Sequence, residues 1–302
     1  MTRISTISTL QQSLGFRQIV ARQTAEATRL AQEVATGLKR DVFAGNAPAA
    51  TRSLEVRSHR AANTAFLDTN KVLEGRLQST ADAMTGISGL GRAFLDLSLT
   101  GAILTDQGNV YRQQARHTME QVVSLLNSTY GGTHMFSGQT TDTAAVEIVD
   151  APPAPVSLNY LGSAVPLSAR IDDNTTLNYG VNATDDAFRN ILSAVRDAVN
   201  ADVTTMTETA FATLRAGVTT LLDSGLQQLT TLQARLGNHQ QLLGDRIDGQ
   251  HALENLYVRE VTDIEGADVE ETAVRLQSME TQLRATYEMT ARMGRMSLLD
   301  YL

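Results

Sequence analysis

Cysteine and tryptophan are absent from the 302 residues, prolines number five, and aromatics make up only 5%. Without cysteine there is no disulfide, no thiol nucleophile and no Cys-based metal site. So few aromatics leave little to fill a compact globular core, whereas long helices can be sealed by Leu, Ala, Met and Val. No apolar run is long enough to cross a bilayer, so a membrane is not an expected partner. The opening MTRISTISTLQQSLGF lacks the apolar core and small-residue cleavage site of the usual secretory signal. That suits a cytoplasmic protein and, equally, a chain exported unfolded by a dedicated machine. There is no basic patch with interleaved aromatics, which argues against nucleic acid as a partner. Neither a Gly-rich phosphate loop nor a nucleophile motif is present. No pair among His59, His117, His134, His239 and His251 has a zinc-like spacing with a third ligand. Composition therefore predicts no enzyme, no cofactor and no metal.

What the chain does have is heptads. Val20, Ala27 and Val34 stand seven apart with Leu30 on the same face, and Ile4, Ile7, Leu10 and Leu14 continue the pattern toward the start. The spacing predicts a helix from residue 3 to about 38, with Gly37 as its C-cap and its first fifteen residues disordered in a free chain. Residues 39–51 read as an irregular connector broken by Gly45, Asn46 and Pro48. A very long helix is predicted over 53–104, with Phe66, Leu73, Thr80, Ile87 and Phe94 on one seam, Leu90, Leu97 and Leu104 on the next, and Leu77 and Met84 widening the stripe. After a break at 105–109, a helix over 110–129 is expected to stop at Gly131 and Gly132. Residues 187–199 and 208–261 give two further helices, the second with an apolar face that includes Leu222, Leu229, Leu236, Leu242, Leu243, Leu253 and Leu256.

The final helix, 268–302, carries Leu276, Leu283, Thr290 and Ser297 seven apart, with Met279 and Met293 on the adjoining seam. Asp268 is a natural N-cap with Glu271 three residues on. The helix runs into Leu298, Leu299, Tyr301 and Leu302, an apolar end that needs cover. A neighbouring subunit or the chain's own first helix could supply it. Residues 1–60 carry a net charge of +5 and residues 245–302 one of −6, so the two regions are suited to pair.

Between the helices the period changes to two. Short apolar alternations over 144–181, separated by Pro152, Pro153, Pro155, Gly162 and Asp172–Asn174, predict about four strands. The acidic pairs Asp172-Asp173 and Asp185-Asp186 read as a turn and a helix start, with a weak calcium site as the alternative. The expected fold is mainly α, an elongated antiparallel helical bundle or coiled coil with a small β-rich insert at the tip.

Three stretches together resemble a known family. DVEETAVRLQSMETQLRATYEMTARMGRMSLLDYL, LAQEVATGLKRDVFAGNAPAA and TYGGTHMFSGQTT are similar to the flagellins and, more closely, to their hook–filament junction relatives, the hook-associated protein 3 family. The last stretch matches that branch's signature at Gly132, Phe136 and Gly138. Asn46-Ala47-Pro48 departs from the acidic pair usual before that proline, which bears on the turn alone. The resemblance implies a structural protein of the bacterial flagellum that joins hook and filament by copolymerising through its terminal helices. It implies an assembly domain of 1–40 with 265–302, a rod of 41–140 with 182–264, and an outer domain of 141–181. The implied partners are further copies of the chain in a helical or ring layer, flagellin, the adjacent hook-associated protein, and an export chaperone on the C-terminal helix. The implied route is the flagellar type III apparatus, without a cleaved signal, to an extracellular location. The expected assembly interface is Val20, Ala27, Leu30, Val34, Leu276, Met279, Leu283, Met293, Leu298, Leu299 and Leu302. A short flagellin is the near alternative; an enzyme or metal-binding module in the insert is the distant one.

Overall fold

The computed structural model describes residues 2–40, 42–45, 47–100, 104–203 and 205–299, with side chains described over 14–40, 42–43, 47–100, 108–203 and 205–292. The chain is mainly helical. In order it forms α1 (Thr2–Thr36), α2 (Val42–Gly45), α3 (Ala47–Leu99), α4 (Leu104–Leu126), β1 (Thr129–Tyr130), β2 (Thr133–His134), β3 (Val146–Val149), β4 (Ser157–Tyr160), β5 (Ser168–Arg170), β6 (Thr176–Asn178), α5 (Asp186–Val199), α6 (Glu208–Glu265) and α7 (Val269–Leu299). It divides into two compact units, one of residues 1–62 with 253–302 and one of 63–252.

Two expectations need correction. The segment 39–51 is not irregular throughout: it holds α2 and the start of α3. Pro48 falls in the first turn of α3, where its missing N–H would have had no intrahelical partner anyway. The break expected at 105–109 is helical, and α4 already begins at Leu104. The backbone of Ile4, Ile7 and Leu10 belongs to α1, which starts at Thr2; their side chains lie outside the described residues.

The unit of residues 63–252 is built on long-helix seams. On α3, Leu73, Leu77, Thr80, Met84, Ile87 and Phe94 are all buried. On α6, Leu222, Leu229, Leu236, Leu243 and Gln250 stand seven apart and are buried. At 53 residues, α3 would measure about 80 Å if straight. Its seam follows the Leu77–Met84 row, and Leu90 and Leu97 are only partly buried against the core. Leu242, expected on the apolar face of α6, is 41% exposed because it stands off the buried seven-residue row.

Helix α4 packs on α5. Phe94 stacks on Tyr111, whose ring meets Phe211 edge-on at 5.6 Å. The Tyr111 hydroxyl is satisfied by Ser98 Oγ at 3.0 Å. Burial raises the Tyr111 pKa; the Ser98 bond and the nearby Arg215 charge oppose that shift.

The four expected strands form two separate antiparallel hairpins, β3–β4 and β5–β6, rather than one sheet. Each has one end tied into the helices by side-chain amides. Asn127, just past α4, donates to Val146 O at 2.7 Å and accepts from Val146 N at 3.0 Å. Asn200, the C-cap of α5, does the same to Val156, at 2.9 and 2.8 Å. The β5–β6 hairpin is held by Asn70 and Gln250, whose side-chain amides both donate to Ile171 O, at 2.8 and 3.0 Å. Ile171, Leu177 and Val146 join the helical core, so the strands share that core instead of building their own.

Candidate assembly surface

The unit of residues 1–62 and 253–302 contains the residues expected to drive assembly. Helix α1 packs against α7. The chain leaves α1 through Gly37, whose φ of +68° suits glycine, and enters α7 after Asp268. Asp268 caps α7 by accepting from Glu271 N at 3.0 Å. Between these points Leu38 and Gly266 form an antiparallel bridge. Lys39 N donates to Glu265 O at 2.7 Å, and Ala267 N donates to Gly37 O at 2.9 Å. One helix arrives where the other departs, so α1 and α7 run antiparallel.

Sheltered residues on both helices repeat with the 3-4 spacing of a coiled-coil seam. On α1 these are Phe16, Val20, Gln23, Ala27, Leu30 and Val34; on α7 they are Thr272, Leu276, Met279, Leu283 and Thr286. Seven of the expected interface residues, Val20, Ala27, Leu30, Val34, Leu276, Met279 and Leu283, thus lie on the seam within one chain. The side chains of Met293, Leu298 and Leu299, and all of Leu302, lie outside the described residues. Sequence reasoning missed Phe16, Gln23, Thr272 and Thr286. Gln23 and the two threonines carry no hydrophobic signal and are found only by extending the heptad register.

The seam is narrow. Of its apolar members only Leu30 is fully buried. Outside it, Leu14 and Ile19 on α1 and Val274, Tyr287 and Met289 on α7 are left open, Val274 at 68% exposure. Two helices have too little surface to cover each other's apolar residues, and this pair carries a second apolar set that is left exposed among the described residues.

The charge complementarity takes a particular form. Pairs that join separate helices fall on α3 and α6: Arg52–Glu260, Arg57–Glu265 and Arg60–Glu254, at 2.5, 2.5 and 2.6 Å. On α1 and α7 the described ion pairs stay within one helix, as in Arg29–Glu33 and Arg275–Glu271. Glu265 is the buried member of the set, 5% exposed. The Arg57 guanidinium holds its carboxyl below the ordinary value; desolvation opposes this and the Ser53 hydroxyl assists it. A cleft of about 520 Å³ at this level is lined by Arg29, Lys39 and Arg275 against Glu33, Asp268 and Glu271. Its charges balance, so it has no net field to draw in a charged ligand.

The signature residues Gly132, Phe136 and Gly138 lie in the other unit. Gly131 and Gly132, at φ +58° and +81°, make the turn between β1 and β2. Phe136 is fully buried, edge-on to Phe188 at 5.6 Å. Gly138 has φ +60°, and a Cβ there would sit 2.2 Å from Ser163 O. These residues fix a turn against the core.

Asp172 is the turn that its sequence suggests. Its Oδ1 accepts from Asn174 N and Thr175 N, both at 2.7 Å, and its Oδ2 pairs with Arg246 at 3.1 Å. Desolvation pushes its pKa up, but those bonds and Arg246 outweigh it and the net shift is downward. Among the described residues no cluster of three His, Asp or Glu could hold a metal ion. Nor, among them, is any helix long and apolar enough to cross a membrane.

Comparison with known proteins supplies the context for this geometry. The bacterial flagellin N-terminal helical region matches residues 7–141, and the bacterial flagellin C-terminal helical region matches residues 219–302. No curated protein matches. Among solved structures, a protein described as flagellar hook-associated from Vibrio parahaemolyticus is similar at 15% identity and a TM-score of 0.62, covering 73% of this chain and 99% of its own. Flagellar hook-associated protein 3 from Legionella pneumophila is 10% identical over 77% of this chain and 98% of its own, with a TM-score of 0.43. FlgL of Bacillus cereus is 11% identical over 71% of this chain and 99% of its own, at 0.40. The Vibrio likeness is one of fold. With both flagellin helical regions present, and the first and last helices they contribute packed together as one antiparallel pair, the chain belongs to the flagellin-like family.

Proposed function

We propose that this protein is a structural adaptor of the bacterial flagellum, placed where hook meets filament, and that it polymerises through α1 and α7. The observation that carries this reading is the second apolar set on those helices: Leu14, Ile19, Val274, Tyr287 and Met289 are exposed in a single chain. A fully buried Leu or Val contributes roughly 1.5–3 kcal/mol. A few such residues covered by each neighbour can therefore offset the cost of fixing the helices in place. Contacts of this heterologous kind follow a helical operator and build a layer or tube rather than a closed dimer.

In this reading residues 1–40 with 265–302 form the assembly domain, 41–140 with 182–264 the rod, and 141–181 the outer domain. The seam residues Val20, Ala27, Leu30, Val34, Leu276, Met279 and Leu283 shape the hairpin. Met293, Leu298, Leu299 and Leu302 belong, in this reading, to the interface with the next subunit. The neighbours are further copies of this chain, flagellin on one side and the adjacent hook-associated protein on the other. Before assembly a chaperone covers α7, whose open Val274, Tyr287 and Met289 would otherwise meet water. The chain travels through the flagellar type III apparatus and works outside the cell. It has a mechanical role and no catalytic one.

Immunogold labelling of intact cells tests the placement. A single band at the base of each filament is expected. Label along the whole filament would instead make the protein a short flagellin. Deletion gives the matching phenotype: bare hooks, with flagellin released into the medium.

A further inference from the structure

Glu265 is the last residue of α6 and stands where the two terminal segments cross. Its carboxylate accepts from Arg57 Nε at 2.9 Å and Arg57 Nη2 at 2.5 Å, and from the Ser53 hydroxyl. Its main-chain carbonyl accepts from Lys39 N at 2.7 Å. The residue therefore grips α3 with its side chain and the exit of α1 with its backbone. Immediately beyond it, Gly266 bridges Leu38, and Ala267 N reaches Gly37 O. At the crossing itself the chain is two glycines and a half-exposed Leu38, while Val42 and Val56 are the buried apolar residues nearby, so non-directional packing alone does not fix the angle. A charge-assisted, forked arginine–carboxylate bond is the most directional contact available to set a crossing angle.

We infer that Glu265 is the positioning residue of the terminal hairpin, a charge lock that sets how α1 and α7 leave α3 and α6 and so aims their exposed apolar residues at the neighbour. This deepens the assembly reading and rests on it. Glu265→Gln keeps the shape but removes the charge. The Arg57 side chain is half exposed and can turn to water, so the variant keeps its helices and loses the fixed crossing. Arg57→Ala breaks the same lock from the other side.

Amide hydrogen exchange on the full chain, combined with incorporation onto purified hooks, tests the inference. Both variants are expected to keep wild-type helicity. The amides of Lys39 and Ala267 should exchange at least about tenfold faster, while those of the α6 core around Leu229 and Leu236 stay unchanged. Incorporation should fall by a similar factor. Unchanged exchange at Lys39 and Ala267 overturns the lock. Faster exchange with wild-type incorporation overturns its role in assembly. Failure of the wild-type chain itself to join hooks would be a failure of the assembly reading, and is read separately.

Discussion

At the scale of single residues, Gly138 and Glu265 show two ways a position becomes indispensable. Gly138 combines a positive φ with a carbonyl where a side chain would go. Gly138→Ala must therefore strain the backbone and displace Ser163 at once, and is expected to cost more than about 2 kcal/mol. A urea midpoint falling with an unchanged m-value would show it. Glu265 acts through charge, and its effect depends on pH. Its folded pKa lies below the ordinary glutamate value of about 4.3. Its contribution is thus complete above that value and is lost as pH falls through the lower, folded one. Melting curves between about pH 6 and 3 should converge for wild type and Glu265→Gln at the acid end and diverge at the neutral end. The sequence signals for these two residues differ sharply. Phe136 and Gly138 sit in a recognisable local string. Glu265 meets Ser53 and Arg57 from more than two hundred positions away. Only the opposed net charges of the two regions hinted at that meeting, and net charge cannot say which pair will be buried.

At the scale of elements, the heptads were the legible part. Leu73, Leu77, Thr80, Met84, Ile87 and Phe94 line the α3 seam as their spacing predicts, because a buried stripe on a long helix has to repeat that way. Boundaries were harder. Pro48 reads as a breaker until its place in a first turn is known, and the polar stretch before Val110 carries no apolar signal although it is helical. The pairing of four short strands into two hairpins was invisible as well, since Asn127 and Asn200 look like ordinary polar residues. The α1–α7 pair offers a clean separation of roles. Leu30→Ala, at the buried seam, is expected to destabilise the hairpin by about 2–5 kcal/mol. Val274→Ser, on the open side, should leave the circular dichroism melt unchanged and still reduce incorporation into polymer. If Val274→Ser assembled like wild type, the open side of α7 would not be where neighbours meet.

At the scale of the whole molecule, the two units are stabilised by different means. Residues 63–252 enclose a continuous core whose largest fully buried side chains include seven aromatic or Met residues among those described: Met84, Phe94, Tyr111, Met119, Phe136, Phe188 and Phe211. In the other unit α1 and α7 share a narrow seam and leave apolar residues open. Limited proteolysis of the isolated chain should therefore remove material from both termini before it cuts within 63–252, because local opening is easiest where least apolar surface is buried. Equal survival of the termini and the 63–252 region would show that the pair is more stable alone than its seam suggests.

The asparagine clips at Val146 and Val156 carry a consequence for crowding. A lone two-stranded ribbon has unpaired N–H and C=O groups along both edges, and such edges recruit strands from other molecules. Here Asn127 fills one rung at the β3 edge and Asn200 one rung beside β4, each imitating the strand that would otherwise dock there. In a polymer the local concentration of identical ribbons is very high. Filling those rungs from within the chain discourages sheet-to-sheet growth and leaves the proposed helix contacts as the route by which subunits would join.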